Sequence, residues 1–190
     1  MNKFYQKTLF LLLLILVSAC KSSDQKVSIS KIYNQQSVIL KINNNLKKIT
    51  GIKLPLNIKM SNNNNFDKDF LSIDYYYYYD DQNGAGIELF YNDKRISNNS
   101  RKTVSPSNEI EFSIYTRHLT DSTKLIQQQF KPYIEKMLKE NKDTLHVGTV
   151  SDFKKNHKEF FEKLTKNDSI SIQFLDGKKL GERITVPVEW

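Results

Sequence analysis

The sequence predicts an α+β fold: a mostly antiparallel sheet with helices packed on one face, in the order α-β-β-β-β-α-α-β-β. Three observations lead there. Apolar residues recur at three- and four-residue spacing in residues 28–50 and again between residues 120 and 164. Strict alternation of apolar and polar residues fills most of the stretch between them. The last twenty residues alternate again around an Asp-Gly turn.

The first helix is expected over residues 28–50, with Ile29, Ile32, Tyr33, Ile39, Leu40, Ile42, Leu46 and Ile49 on its apolar face. Lys47 and Lys48 suit the negative end of its dipole, and Gly51 suits the position just beyond. At Ile52 the period changes to two. Ile52, Leu54, Leu56, Ile58 and Met60 alternate with polar residues in a first strand, and Pro55 places it at a sheet edge. After a polar loop, residues 70–79 form a second strand, with Leu71, Ile73, Tyr75, Tyr77 and Tyr79 on one face. Residues 80–86 turn the chain into a third strand carrying Ile87, Leu89 and Tyr91. Residues 92–108 read as a long exposed loop, and Ile110, Phe112 and Ile114 mark a fourth strand.

Thr120 or Asp121 caps the next helix, whose stripe runs from Leu125 to Leu138. Pro132 should kink or divide it, because proline lacks the N–H for one backbone bond. Residues 145–150 suit a short extended segment. Ser151 caps a third helix lined by Phe153, His157, Phe160, Phe161 and Leu164. A closing hairpin pairs Ile170, Ile172 and Phe174 with Ile184, Val186, Val188 and Trp190, with Gly181 as a candidate bulge.

The N-terminus has its own pattern. Lys3 and Lys7 precede an apolar run over residues 9–17, too short for a stable membrane span, and Ser18-Ala19-Cys20 follows. This is the form of a secretory signal. The tetrad Val17-Ser18-Ala19-Cys20 resembles the lipobox of bacterial lipoproteins. That resemblance covers the first twenty residues only. It implies diacylglyceration of the Cys20 thiol, cleavage before Cys20, and a chain tethered to membrane lipid. The expected division is a signal over 1–19, a lipidated cysteine and tether over 20–27, and one domain over 28–190, with a split near residue 119 as the alternative. Lys21, rather than Asp, follows the cysteine. By the sorting rule of well-studied double-membraned envelopes, this favours the outer membrane, with the domain facing the periplasm.

Cys20 is the chain's only cysteine, so a lipidated thiol leaves none for a disulfide, a nucleophile or a metal site. Without Lys3 and Lys7, 27 basic residues face 21 acidic ones, a net charge of +6. Such a surface suits anionic headgroups, an acidic protein or a polyanionic glycan. The scattered lysines and the absence of a nucleic-acid motif argue against nucleic acid.

The run Tyr75, Tyr76, Tyr77, Tyr78 and Tyr79 is the most distinctive candidate surface. One set of rings is expected under the helices. The other would make an aromatic stripe, continued by Phe90, that offers large contact area at low entropy cost. Lys94, Arg95, Arg101 and Lys102 put a basic loop beside it. Asp80-Asp81-Gln82-Asn83-Gly84 departs from the calcium-loop pattern, and Gly84-Ala85-Gly86 lacks the following Lys-Ser or Lys-Thr of a phosphate loop. His118, His146 and His157 form no metal-ligand pair. Neither cofactor nor metal is expected.

The expected function is therefore non-catalytic. It is a lipid-anchored envelope module that binds a protein partner, either as an immunity-type lipoprotein or as an accessory subunit of an envelope assembly. A ligand-binding lipoprotein would instead show a groove lined by the tyrosines. An envelope hydrolase would need two of the histidines to meet acids in one cleft.

Overall fold

A computed structural model describes residues 27–78, 86–120 and 123–190. The signal, Cys20, the tether up to residue 26, Tyr79, most of the acidic turn and Asp121 lie outside the described residues.

The fold is β-rich, which corrects the α+β expectation. Half of the described residues lie in strands and 19% in helices, and the strands form three antiparallel sheets. The four helices among the described residues are only six to nine residues long.

The first departure is over residues 28–50. These form β1 (Val27–Ile32), β2 (Ser37–Asn43) and the start of β3 (Lys48–Lys53). Two asparagines cut the periodic run. The Asn34 side chain accepts from the Gln36 N–H at 2.6 Å, and the Asn43 side chain accepts from the Leu46 N–H at 3.1 Å. Each bond offers the backbone a turn in place of a helix. Val38, Leu40 and Ile42 then alternate inward as a strand, which suits their β-branched content. Gly51 ends no helix. It lies within β3, paired with Lys41 and Leu119.

Next come β4 (Pro55–Asn62) and β5 (Lys68–Tyr76). Pro55 is not on an edge strand, because β4 sits between β1 and β9 (Glu109–Tyr115). It is tolerated as the first residue of β4, where the β1 register has already ended at Asn57. β6 (Glu88–Tyr91) follows, and the expected loop over 92–108 contains β7 (Lys94–Ile96) and β8 (Lys102–Val104). β10 (His118–Leu119) leads to α1 (Lys124–Gln129) and α2 (Lys131–Lys139), which part at Phe130 just before Pro132. β11 (Thr144–Thr149) runs into α3 (Val150–Asn156) and α4 (Lys158–Leu164). The cap of α3 is Thr149 rather than Ser151. Its hydroxyl accepts from the Asp152 N–H, and the Asp152 carboxylate accepts from the Thr149 N–H. The chain closes on the hairpin of β12 (Ser169–Asp176) and β13 (Lys179–Pro187), with its register shift opposite Gly181.

Sheet order is β1-β4-β9-β6-β7, β10-β3-β2-β11 and β13-β12-β5-β8. The first and third sheets bury one core between them. Leu56, Ile58, Met60, Phe112 and Ile114 meet Phe70, Ile73, Ile170, Ile172 and Phe174 there. Phe70 meets Phe112 edge to face at 5.8 Å. The second sheet shares a separate core with the helices, built on Leu40, Ile49, Ile52, Phe130, Met137, Phe153 and Phe161. Each such buried side chain contributes about 1.5–3 kcal/mol of transfer free energy. Trp190 packs against both cores. No described helix is long and apolar enough to cross a membrane.

Candidate functional site

β5 pairs with β12 through Tyr75↔Ile170 and Tyr76↔Ser169, so neighbouring tyrosines point to opposite faces. Tyr75 and Tyr77 turn inward, to where the two cores meet. The Tyr75 hydroxyl donates to Asp168 Oδ2 at 2.7 Å and accepts from Trp190 Nε1 at 3.1 Å. The Tyr77 hydroxyl donates to the Gly86 carbonyl at 3.0 Å and accepts from the Arg117 N–H at 2.7 Å. The His118 ring stands edge-on to both, with centroids at 5.9 and 4.9 Å.

Burial sets the charge states in this cluster. It lowers the His118 pKa to about 3 and raises that of Tyr77 to about 12. Burial and the neighbouring Asp168 carboxylate push Tyr75 well above the usual tyrosine range. Burial raises Asp168 too, against the hydrogen bonds from Tyr75 and the Tyr78 N–H. Near neutral pH the imidazole and both phenols are therefore uncharged, and none of the three is poised to exchange a proton there. This half of the tyrosine run joins the two cores.

The other half faces outward. Tyr76 is 48% exposed and Tyr78 66%. The Tyr76 side chain and the Tyr78 backbone are each held from behind. Arg183 Nη1 donates to the Tyr76 hydroxyl at 2.6 Å, and the Tyr78 N–H donates to Asp168 Oδ1 at 3.1 Å. Phe90 does not extend this stripe. It lies on β6 in a different sheet, between Ser113 and Arg95, with its ring edge-on to Tyr115. Four surface cavities are lined by residues other than Tyr75–Tyr78.

The basic residues divide as well. Lys94 and Arg95 are exposed on β7, the edge of the five-stranded sheet. Arg101 instead pairs with Asp69, whose carboxyl is held below its usual range by that guanidinium and by Thr103. Lys102 acts as a clasp. Its ammonium donates to the carbonyls of Leu71, Asn98 and Ser100 at 2.7–2.9 Å and lies over the Phe70 ring. Burial there lowers its pKa to about 8.

The histidines do not assemble as a hydrolase would need. His118 and His146 lie on opposite edge strands of one four-stranded sheet, about 14 Å apart by strand spacing. His157 sits at the break between α3 and α4, with Nδ1 2.6 Å from Gln129 Nε2. No three His, Cys, Asp or Glu side chains among the described residues group to hold a metal ion.

Sequence reasoning missed one site. Lys31, Tyr33, Lys154, Lys155, Lys158 and Trp190 line a cleft of about 410 Å³. It lies where β1 meets the α3–α4 corner. Lys31 donates to the Glu189 carbonyl and lies over the Trp190 ring at 5.7 Å. Lys154 donates to the Trp190 carbonyl at 2.7 Å. Partial burial and then Lys154 lower the Lys31 pKa, against the pull of Glu189. The run Lys154-Lys155-x-x-Lys158 was visible in the sequence. Its convergence with Lys31 and Trp190 was not, because only the tertiary fold brings them together.

No protein-family model matches the chain, and no curated protein matches it.

Proposed function

We propose that this chain is a lipid-anchored protein of the bacterial envelope that binds a protein partner without catalysing a reaction. Cys20 carries the anchor, in the outer membrane, and the domain faces the periplasm. The observation that carries the binding reading is the outward face of β5. Tyr76 and Tyr78 are exposed there, and neither lines any of four cavities found among the described residues. Arg183 holds the Tyr76 ring and Asp168 holds the Tyr78 backbone, so less of that freedom remains to be lost on binding. Exposed, pre-ordered tyrosines outside a pocket suit a protein surface better than a small ligand. The glycan-groove alternative expects a cleft lined by these rings, and the four cavities above have other linings. An immunity-type lipoprotein and an accessory envelope subunit both use such a face.

The test is affinity capture from gently solubilised native membranes, comparing wild type, Cys20→Ser and the double variant Tyr76→Ala/Tyr78→Ala. The expected result is one near-stoichiometric protein with wild type, which the tyrosine double variant fails to retain. Equal capture by wild type and the double variant, or no protein partner at all, rejects the reading.

A further inference from the structure

We infer that the domain also rests on the bilayer itself: the turn between β2 and β3, with the adjoining face of α1 and α2, docks on an anionic phospholipid surface. Leu46 in that turn is 60% exposed, and Leu138 of α2 is exposed beside the same open depression of about 510 Å³. Lys47, Lys48, Lys124 and Lys131 line it with them. The Asn43 side chain accepts from the Leu46 N–H, which fixes the backbone of the turn. Gln127 of α1 bonds both the N–H and the carbonyl of Ile49, which seats the helix beside the turn. On α2, Ile134 and Met137 are buried and Leu138 is left outside their stripe.

The charge of this face is one-sided. Among the described residues Glu135 is the one acid in the lining, in an exposed pair with Lys131 at 3.8 Å. Glu140 is taken up by Lys142, and Asp143 lies outside the lining. Lys47 and Lys124 are exposed and make no hydrogen bond or ion pair among the described residues. Lys124 and Lys131 each open a helix that has no acid in its first turn, where the helix dipole disfavours a cation. A negative surface relieves that repulsion. The leucines decide what kind of surface it is. A dissolved anion would engage the lysines and leave Leu46 and Leu138 in water. A bilayer takes both, with the leucines at the boundary of headgroups and acyl chains and the ammonium groups among the phosphates. The inference rests on the anchored reading only for the nearness of a bilayer, and a basic patch of this kind reinforces a lipid anchor.

Hydrogen exchange tests this on full-length protein with excess vesicles. One set is phosphatidylcholine alone, and the other is phosphatidylcholine and phosphatidylglycerol in equal parts. The expected result is exchange over residues 43–48 slowed about tenfold or more by the phosphatidylglycerol vesicles, and released at high salt. Leu46→Ser/Lys47→Gln should lose most of that slowing. Both substitutions are at exposed positions, and an unchanged melting temperature shows that the variant folds. Leu180→Ser should keep the slowing. Leu180 is 67% exposed and follows Lys178 and Lys179 on the β12–β13 hairpin, so it matches the composition of the turn without being part of this face. Equal exchange with the two kinds of vesicle, undiminished slowing in Leu46→Ser/Lys47→Gln, or an equal loss in Leu180→Ser overturns the proposal. Vesicle flotation at high salt, wild type against Cys20→Ser, tests the anchor separately. A wild type that fails to float rejects the anchor and leaves the exchange result standing, because excess vesicles reach the face without it. Tyr76 and Tyr78 are absent from this lining, so loss of protein capture in their variant leaves this result untouched.

Discussion

His118 is buried beside Tyr75 and Tyr77, and its Nε2 has no hydrogen-bond partner among the described residues. An imidazole in that position stays neutral as the solvent acidifies, while the unfolded chain takes up its proton near pH 6.5. Between pH 6.5 and about 3 only the unfolded state is protonated, so stability falls as pH falls through this window. The loss grows by roughly 1.4 kcal/mol per unit, or about 2 kcal/mol by pH 5. Asp168 acts in the opposite sense. Its raised pKa lets the folded state take a proton first, which favours folding as the pH falls toward its ordinary value of 3.8. Urea unfolding at pH 7 and pH 5 should show the wild type weaker at pH 5, with most of that difference gone in His118→Phe. An undiminished difference in the variant would place the proton uptake elsewhere. Asp168 also has a structural cost to reveal. Asp168→Ala strands the Tyr75 hydroxyl proton and the Tyr78 N–H, and should cost about 2–3 kcal/mol at pH 7. Asp168→Asn keeps an acceptor and should cost less in the same unfolding assay.

Whether an element could be read from the sequence depended on how it ends. β4 and β9 alternate cleanly, and the final hairpin turns on Asp176-Gly177, with Gly177 at φ +59°. Pro132 divides α1 from α2 where its missing N–H requires it. Residues 28–50 misled because Ile29, Ile32, Ile39 and Ile42 satisfy helical spacing while Val38, Leu40 and Ile42 satisfy strand alternation. The deciding signals were the turns at Asn34 and Asn43, which the apolar period overshadowed. β7 and β8, at three residues each, are too short to display any period. The candidate site was half legible. The outward Tyr76 and Tyr78 follow from alternation alone, but the lysine cleft joins a strand, a helical corner and the C-terminal residue. The cap of α3 offers a direct check at this scale. Thr149→Ala should lower stability by about 1 kcal/mol, while Ser151→Ala should stay within about 0.5 kcal/mol of wild type. Equal effects in thermal melts would remove Thr149 from the capping role.

Across the whole molecule, the two cores are joined by few but specific contacts. Trp190 packs on both, bonds Tyr75 and stands edge-on to Phe161. Glu88 in the five-stranded sheet takes Lys53 from the four-stranded sheet and Arg117 from the β9–β10 link, at 2.9 and 2.8 Å. Burial works against the Glu88 carboxylate, yet these two cations hold its pKa below the ordinary value. Trp190→Ala should therefore loosen the join more than either core. Hydrogen exchange should quicken first at β10, β12 and α4, with global stability reduced by about 2–3 kcal/mol, less than for a fully buried tryptophan. Uniform acceleration across both cores would show instead that they unfold as a single unit. The sheet order also constrains the timing of folding. β5 lies between β8 and β12, yet Tyr75 finds its partner Ile170 only after some hundred further residues. In a chain emerging from its N-terminus Phe70 can already meet Phe112, but the edge of β5 that pairs with β12 stays open until the final hairpin is available. Cutting synthesis short just before residue 169 would leave β5 as an open apolar edge, a template for aggregation rather than a smaller folded protein.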